Sequence, residues 1–496
     1  MRTAVVVGAG VGGIAAAARL ARAGYQVTVF EKQAFPGGRL AVFERDGFHF
    51  DMGPSLFLMP PVFAETYHAL GERMEEHLDL IRLDPTYRVH FHDDTTLDLT
   101  ADLLLLRQAV EAIEPGSAAA LLQFLAEGAD CYYTSLSRFV GRNFYGWLQY
   151  FSPGNLPLLF RLKALVKHYS NTSRYFQDQR LRAAFSFQNM YLGLSPFDAP
   201  ATFSLLQYTE LGEGVWFPRG GMYRIGQSLA SIAEGLGVQF HYQRPVVSIG
   251  VDGSQATGVS TADGEQVPAD VVVANADLPY VYAELLPASR DLRALEAKKY
   301  TSSAIVFYWA LDDEPSPLLL HHNVFLSDHR YRESFDRIFR DLTLPDEPSF
   351  YIHAPTRSDP SLAPPGCDSL MVLVPIGHIS EEVPQDWEAL KAKAREAVFA
   401  RLARAGLPDV QRGLRFEAVM EPLKYLQDYN LAKGAAFGLS HSFTQVGYLR
   451  PRNRHKRYGN LYFVGASTHP GTGLPIVLLS AKLTTERILR EQPSPV

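Results

Sequence analysis

The sequence predicts an α/β fold in which a doubly wound parallel sheet is interrupted by an inserted α+β domain. Residues 3–31 read as a strand, a glycine turn, a helix and a second strand, and residues 460–489 read as another strand, glycine loop and helix. Helices dense in aromatic residues and several alternating strands lie between these two units. A chain of 496 residues is too long for one simple core, so we expect two intertwined domains.

The first unit has the residue spacing of a dinucleotide-binding site. Thr3–Val7 is a β-branched run of strand length, Gly8-Ala-Gly-Val-Gly-Gly13 follows it, and Glu31 closes the second strand. Gly8 permits a tight turn, Gly10 lets the backbone approach a pyrophosphate, and Gly13 allows close packing of helix on strand. The helix N-terminus would offer N–H groups to the phosphates, and Glu31 would accept hydrogen bonds from ribose hydroxyls.

The residues after Glu31 favour FAD over NAD, which the glycine motif alone does not distinguish. Lys32 and then Gly37-Gly38-Arg39 place a second glycine pair and a cation just beyond the acid. This arrangement resembles the group of flavin-containing amine oxidases and carotenoid desaturases. The resemblance implies that Arg39 lies beside the flavin and its diphosphate.

The unit near the end of the chain predicts the other half of the same site. A strand begins at Asn460, Gly465 follows it, and the loop Thr472-Gly-Leu-Pro-Ile476 opens a helix. In a flavoprotein this second helix N-terminus would stabilise the electron-rich end of the isoalloxazine or its ribityl chain. Asn275 and Asp277 end a buried strand, and ligands of doubly wound sheets collect at the carboxyl ends of strands.

Composition and charge narrow the class of protein. Hydrophobic residues make up 47% and charged residues 20% of the chain, which is typical of a folded globular protein. The net charge of −6 gives no support to nucleic-acid binding. The two cysteines, Cys131 and Cys367, fit a reducing cytoplasmic compartment. The chain starts directly on its first strand and has no apolar run of about 18 residues, so neither a signal peptide nor a membrane-spanning helix is expected.

The stretch Leu156–Lys167 combines a broad apolar face with Arg161 and Lys163. Such a basic amphipathic helix can lie in a bilayer interface. It can equally be a core helix whose cations reach solvent. The sequence leaves both interpretations open.

Two histidine pairs are candidate metal ligands, and the sequence argues against both. His90 and His92 share one face of a predicted strand, but no third ligand has suitable spacing. His321 and His322 are adjacent, so their side chains should diverge on a strand. The sequence therefore predicts no metal site.

Several segments resemble the bacterial and fungal type of phytoene desaturase, in the carotenoid and retinoid oxidoreductase family. The similarity covers essentially the whole chain, and it is carried by the glycine motif and by residues 51–59, 181–191, 195–200, 214–222, 275–277, 353–357 and 463–482. It implies a Rossmann-like FAD-binding domain of the glutathione-reductase and amine-oxidase type, with FAD bound without covalent attachment. It also implies a long polyene substrate, peripheral attachment to a membrane surface, and oxygen or a quinone as electron acceptor.

On this basis the expected cofactor contacts are Gly8, Gly10, Gly13, Glu31, Lys32, Gly38, Arg39, Gly53, Pro54, Ser55, Val246, Asn275, Asp277, Gly465, Thr472, Gly473, Leu474, Pro475 and Ile476. The chain divides into FAD-binding segments at 1–100, 205–297 and 431–496, a helical substrate or membrane-associated segment at 101–204, and a substrate-domain sheet at 298–430. Tyr150-Phe-Ser-Pro-Gly154 lacks the Asp and Arg that the bacterial enzymes carry nearby, so no catalytic acid or base is assigned.

The reaction that the resemblance implies is desaturation of 15-cis-phytoene toward lycopene in carotenoid biosynthesis. Because this hydrocarbon has no heteroatom, we expect hydride transfer from an allylic carbon to the flavin and loss of a neighbouring proton. Family alternatives are a diapophytoene desaturase, a hydroxycarotenoid 3,4-desaturase, a carotene isomerase or a saturase. The apolar segments Leu56–Pro61 and Ile476–Leu479 disfavour an amine oxidase, and a non-catalytic carotenoid-binding flavoprotein is a further alternative.

Overall fold

The computed structural model describes residues 1–327 and 330–493. Residues 494–496, the end of the last predicted segment, lie outside the described residues. The described chain is built around a parallel sheet and a larger mixed sheet.

The five-stranded parallel sheet draws its strands from three distant parts of the chain. In spatial order these are Gln239–His241, Gln26–Phe30, Thr3–Val7, Val271–Ala274 and Leu461–Phe463. Val5 lies opposite Thr28 on one side and Val272 on the other. Val271–Ala274 is buried throughout, as expected of a strand covered on both faces. The fold class predicted from the sequence is confirmed.

The fingerprint helix, Val11–Arg22, begins directly after the first glycine turn and packs on one face of this sheet. Ala15–Ala18 are completely buried, because small side chains let neighbouring helices approach. The other helices of this layer are Pro60–Leu70, Tyr223–Gly235 and the C-terminal helix Leu474–Glu491. The opposite face packs on an antiparallel sheet formed by Val246–Asp252, Gln255–Thr261 and Gln266–Pro268.

The mixed sheet has seven strands among the described residues. In spatial order they are Leu414–Met420, Ser303–Leu311, Asp368–Ile376, Phe350–His353, His322–Phe325, Tyr87–His90 and Thr96–Leu99. Only the pairing of His322–Phe325 with Tyr87–His90 is parallel within it. Two strands from residues 1–100, Tyr87–His90 and Thr96–Leu99, therefore belong to this sheet and not to the parallel one. Its helices are Tyr331–Phe339, Trp387–Arg404 and Pro422–Tyr429, and two short ribbons pair Val42–Arg45 with Phe48–Asp51 and Leu80–Leu83 with Val215–Pro218.

The part of the chain between the strands Thr96–Leu99 and Val215–Pro218 is helical, as predicted. Its helices are Leu103–Ile113, Ala118–Ser135, Trp147–Tyr150, Leu156–Arg161, His168–Thr172, Gln179–Ala184 and Leu205–Tyr208, with π turns at Leu136–Val140 and Thr209–Glu213. Further along the chain are Leu278–Tyr280, the π turn Val281–Leu285 and Arg290–Glu296. Single 3-10 turns lie at Met74–Glu76, Phe187–Leu192, Ala201–Ser204, Pro355–Arg357, Pro360–Leu362, Pro408–Val410, Ala432–Gly434, Phe443–Gln445 and Gly447–Leu449.

The expectation of one basic helix over Leu156–Lys167 is wrong. The helix ends at Arg161, and Lys163 has a positive φ that no continuing helix accommodates. All three cations of the stretch pair with carboxylates, because Arg161 contacts Asp130, Lys163 contacts Glu127, and Lys167 contacts Asp198. The cations therefore act within the protein and do not form a free basic face.

Candidate active site

A cavity of about 640 Å³ lies between the parallel sheet and the mixed sheet. Every residue expected to contact the cofactor lines it, except Gly13. Gly13 instead sits behind the wall, where a Cβ would come within 2.1 Å of the Gly8 carbonyl oxygen. Its predicted packing role is therefore consistent with its position, and its cofactor contact stays a prediction.

The glycines of the fingerprint leave room at the first end of the cavity. Gly8 has φ +97°, in the region that favours glycine. A Cβ on Gly10 would lie 2.8 Å from Asn275 Nδ2, and one on Gly38 would lie 3.0 Å from Gly10 Cα. The fingerprint helix starts at Gly10 without a side-chain cap and without an acidic residue in its first turn. Its first N–H groups are thus free of side-chain partners at the cavity wall.

Glu31 is 6% exposed, and backbone donors hold its carboxylate in place. Ala9 N–H donates to Oε2 at 2.6 Å, and Gln33 N–H donates to Oε1 at 2.8 Å. Each oxygen keeps a second lone pair for another donor. Burial raises the pKa of Glu31, although the two N–H groups and Lys32 oppose that shift. Lys32 reaches across the opening and donates to Asn430 Oδ1 at 3.0 Å.

Arg39 and Asp277 place opposite charges along the cavity wall. Arg39 Nη1 donates to the Ala436 carbonyl at 2.8 Å, and burial lowers its pKa while Asp277 opposes that shift. Asp277 accepts from Ala432 N–H at 2.9 Å and from Ser467 Oγ. Asn275 donates from Nδ2 to the Gly8 carbonyl at 3.1 Å. The two strand-end residues therefore tie the fingerprint turn to the 432 and 467 loops.

The loop from Gly465 to Gly473 carries the second uncapped helix N-terminus to the same cavity. Gly473 has φ +108°, and the C-terminal helix begins after it without a side-chain cap or a first-turn acid. Thr472 N–H donates to His441 Nε2 at 3.1 Å. Val246 and Leu474 add apolar surface to this part of the wall.

Arg450 is a buried cation that holds this loop, and the sequence reasoning missed it. It is 2% exposed, and burial lowers its pKa to about 9, so it stays charged at neutral pH. Its guanidinium donates to five carbonyl oxygens, those of Leu439, Ser440, Gln445, Ala466 and Thr468, at 2.6–3.3 Å. No local sequence pattern predicts these hydrogen bonds, because the acceptor carbonyls belong to two separate loops.

The far end of the cavity is apolar. Its walls come from the mixed sheet and from the helical region, and they include Leu56, Met59, Phe139, Leu162, Phe187, Met190, Phe203, Leu206, Val306, Val324, Tyr331, Phe335, Phe350 and Leu373. Half of the apolar segment Leu56–Pro61 lies here, because Leu56, Leu58 and Met59 line the cavity and the other three residues do not. The lining residues from the helical region and the mixed sheet could not be predicted from the sequence, because aromatic residues at these spacings are also typical of an ordinary hydrophobic core.

The expectation that His321 and His322 diverge is wrong. His321 lies just before the strand His322–Phe325, so the alternation of strand side chains does not apply to it. The imidazoles of His321, His322 and His353 are buried, and their nitrogens lie within 4.8 Å of one another. His321 Nε2 and His353 Nε2 are 3.0 Å apart, a hydrogen-bond distance between two neutral rings.

A buried acid lies behind the apolar wall. Glu210 is 0% exposed, Gln188 Nε2 donates to its Oε2 at 3.2 Å, and its Oε1 has no partner. Burial raises the pKa of Glu210 to about 8. It also raises the pKa of the cavity-lining Tyr191, and Glu210 adds to that shift. Burial therefore favours the protonated form of Glu210 at neutral pH.

Glu210→Gln should remove a pH-dependent loss of stability. The unfolded chain releases this proton near pH 4.5 and the folded chain near pH 8, so the free energy of unfolding falls as pH rises through that window. The loss has an upper limit on the order of 5 kcal/mol. The variant should match the native protein near pH 5 and exceed its Tm at pH 9. Parallel Tm curves for the two proteins between pH 5 and pH 9 would contradict this assignment.

These residues fit a flavin dinucleotide. Two uncapped helix N-termini face one cavity, a glycine cradle lies beside Gly10, and Glu31 keeps lone pairs for hydroxyl donors. The other end of the cavity offers apolar surface to a substrate. Together the fold and the cavity define the class of flavin-dependent oxidoreductases.

Comparison with known proteins gives the family. Residues 11–489 match the family model described as flavin containing amine oxidoreductase. The chain is 49% identical to a zeta-carotene-forming phytoene desaturase of Myxococcus xanthus, over 98% of this chain and 94% of the relative. It is 44% identical to a phytoene desaturase of Phycomyces blakesleeanus, over 98% and 84%. The chain therefore belongs to the carotenoid and phytoene desaturase family of flavin-containing oxidoreductases.

A solved structure agrees on the fold. An oxidoreductase from Methanosarcina mazei superposes with a TM-score of 0.64 at 19% identity, covering 98% of this chain and 100% of that one. At this identity the likeness concerns the fold alone.

Proposed function

We propose that this protein is an FAD-dependent phytoene desaturase of carotenoid biosynthesis. The observation that carries the proposal is that one cavity joins a glycine-lined end, suited to a dinucleotide, to an apolar end. The chain that forms it is 44–49% identical to phytoene desaturases. The residues around both uncapped helix N-termini would hold FAD, with Glu31 at the ribose and Arg39 near the diphosphate. When bound, the flavin supplies a two-electron oxidant that accepts hydride from an allylic carbon.

The protein's own residues would align the polyene and exclude water. Phytoene has no polar atom, so recognition must come from the shape and the apolar lining of the cavity. The aromatic rings of Tyr331, Phe335 and Phe350 line that part. Their faces attract positive charge, which would lower the energy of a delocalised carbocation. Binding in a fixed orientation would select which single bond is oxidised.

The substrate would enter from a membrane surface on which the protein lies. No helix within residues 1–327 and 330–493 is long and apolar enough to cross a bilayer. The helical segment 147–165 nevertheless exposes large apolar side chains, with Trp147 61%, Leu148 66%, Phe160 73% and Leu165 67% exposed. Neighbours in the same segment, such as Tyr150 and Leu162, line the cavity. This segment would therefore place its exposed apolar side chains in the bilayer interface while its other side chains line the cavity.

We place the protein in the cytoplasm, peripherally attached, with oxygen or a membrane quinone as the terminal electron acceptor. Both free cysteines fit a reducing compartment. Neither acceptor needs a binding motif that a sequence would display.

Purified protein, FAD and liposomes that contain 15-cis-phytoene test the function. With oxygen or added quinone, the mixture should gain polyene absorption at longer wavelength, and the protein should sediment with the liposomes. Chromatography of the products separates zeta-carotene, which the Myxococcus relative forms, from lycopene. A protein that binds FAD but converts only diapophytoene, a hydroxycarotenoid, a cis-carotene or an amine would overturn the phytoene assignment in favour of the corresponding family activity.

A further inference from the structure

A chain of three hydrogen-bonded side chains leads from the cavity wall into the mixed sheet. Ser55 and Tyr351 both line the cavity. Ser55 Oγ lies 2.8 Å from the Tyr351 hydroxyl, and that hydroxyl lies 2.6 Å from His322 Nδ1. Ser55 follows Gly53 and Pro54, which are expected at the cofactor, and Tyr351 lies on the strand Phe350–His353, so this hydrogen bond joins the expected cofactor loop to the mixed sheet.

His322 is set up to take a proton from this phenol. The ring is completely buried, Tyr87 stacks on it at 5.2 Å between centroids, and its Nε2 has no partner. Burial and the nearby His353 hold the pKa of His322 well below its ordinary value, so the imidazole is neutral. Burial also raises the pKa of Tyr351, which therefore remains a phenol. The resting pair is an uncharged phenol hydrogen-bonded to an uncharged imidazole.

Two histidines, His441 and His469, line the cavity directly, whereas His322 lies behind Tyr351. The two lining histidines differ in the lone pair that they offer. His441 Nε2 accepts the Thr472 N–H, so a neutral His441 carries its proton on Nδ1 and has no open acceptor. His469 Nε2 lies 3.1 Å from the Arg142 carbonyl and must donate to it, which leaves Nδ1 as a buried acceptor without a partner. His469 is therefore the only competitor among the cavity-lining imidazoles of the described chain, and the experiment must include it.

We propose that Tyr351 is the proton acceptor of the desaturation and that His322 is the residue that positions it and takes over its proton. The proposal rests on the proposed function. One allylic C–H bond breaks as its hydrogen leaves with both electrons to the flavin. The adjacent C–H bond then breaks, its electron pair forms the new C=C bond, and its proton goes to the Tyr351 oxygen. The phenolic proton moves at the same time to His322 Nδ1, which leaves a neutral phenol and an imidazolium.

A weak base is enough for this step. A proton next to a delocalised carbocation is strongly acidic, so a phenol backed by a neutral imidazole can accept it. A carboxylate in the same place would be costly to bury and would trap the cation as an ester. The neutral pair also leaves the apolar cavity uncharged between turnovers.

Tyr351→Phe removes only the hydroxyl and is the central test. With native protein active on phytoene liposomes, this variant and His322→Asn should each lower kcat about 100-fold, the usual contribution of a positioned acid or base, while KM changes less than about threefold. The amide introduced by His322→Asn would still hydrogen-bond the phenol but cannot take its proton, so a purely structural role of His322 would be rescued. Tyr308→Phe is the matched control, because Tyr308 donates to the Met52 carbonyl at 2.9 Å and does not line the cavity.

A second readout does not depend on turnover. The amount of carotenoid bound by FAD-loaded protein under anaerobic conditions, measured by gel filtration and solvent extraction after mixing with phytoene, should be the same for native protein and Tyr351→Phe. Full kcat in Tyr351→Phe, or a kcat loss confined to His469→Gln, overturns the proton-acceptor assignment while the function stands. A native protein that binds FAD and phytoene without forming product overturns the function itself.

Discussion

Arg450→Ala should lose most of its bound flavin and unfold at a clearly lower temperature than the native protein. The substitution leaves five buried carbonyl oxygens without their donor, and each unsatisfied buried acceptor costs about 1–3 kcal/mol. Relief of the desolvation of the guanidinium offsets part of this cost. We expect a net loss of roughly 4 kcal/mol, in the range that marks a broken buried network. Thermal unfolding and the flavin-to-protein absorbance ratio measure both effects.

The lysine variant and a neighbouring arginine sharpen this test. Arg450→Lys keeps the charge but offers three donors from one point in place of a planar fork, so it should restore only part of the stability. Arg452→Ala is the matched control, because Arg452 is near the surface and donates to the Tyr448 hydroxyl at 2.7 Å. If Arg450→Ala kept the Tm and the flavin content of Arg452→Ala, the guanidinium would not be what holds the two loops.

Gly13→Ala should weaken flavin binding at least about tenfold, with little change elsewhere in the fold. The added Cβ would lie 2.1 Å from the Gly8 carbonyl oxygen and 3.1 Å from Asn275 Cβ, and both neighbours belong to the rigid wall of the cofactor end. The fingerprint helix must then move away from the turn that it serves. Such overpacking costs about 1–3 kcal/mol, and a displaced helix moves its first N–H groups away from the phosphates that they would bind. Equilibrium titration with FAD should show a loss of affinity of at least about tenfold.

Gly235→Ala is the control for this prediction. Gly235 ends the helix Tyr223–Gly235, and a Cβ there meets no atom within 4 Å. Alanine should therefore be neutral or slightly stabilising at that position. Native FAD affinity in Gly13→Ala would show that the close approach of helix and strand is dispensable.

The cofactor end of the cavity could be predicted from the sequence because its geometry is local. Gly8, Gly10 and Glu31 lie within one βαβ unit, and turn chemistry and helix starts follow from neighbours along the chain. The same holds for the loop before the C-terminal helix, because its glycines and the helix start are also neighbours along the chain. Gly13 lies one layer behind the cavity wall, in the helix–strand packing position that its spacing predicted.

The remaining parts depend on partners far away in sequence. Tyr351 and Ser55 are 296 positions apart in the chain, so no pattern around either residue predicts their contact. The cations of residues 156–167 looked free because their carboxylate partners, among them Glu127 and Asp198, lie on other elements. His321 was misjudged for a different reason, because strand alternation was extended one residue beyond the strand. The division of the chain at residues 100, 204, 297 and 430 stays a prediction.

The order of strands in the parallel sheet determines when the sheet can be completed during synthesis of the chain. Thr3–Val7 occupies the centre of that sheet and is made before the other four strands, whereas Leu461–Phe463, one of its two edge strands, is made last of the five. At about 5–20 residues per second, translation of the chain takes roughly 25–100 s. During that interval the fingerprint turn exists without the loop that completes the cavity. Loading of the dinucleotide is therefore expected to follow chain completion, and the nascent glycine turn and apolar walls need protection until then.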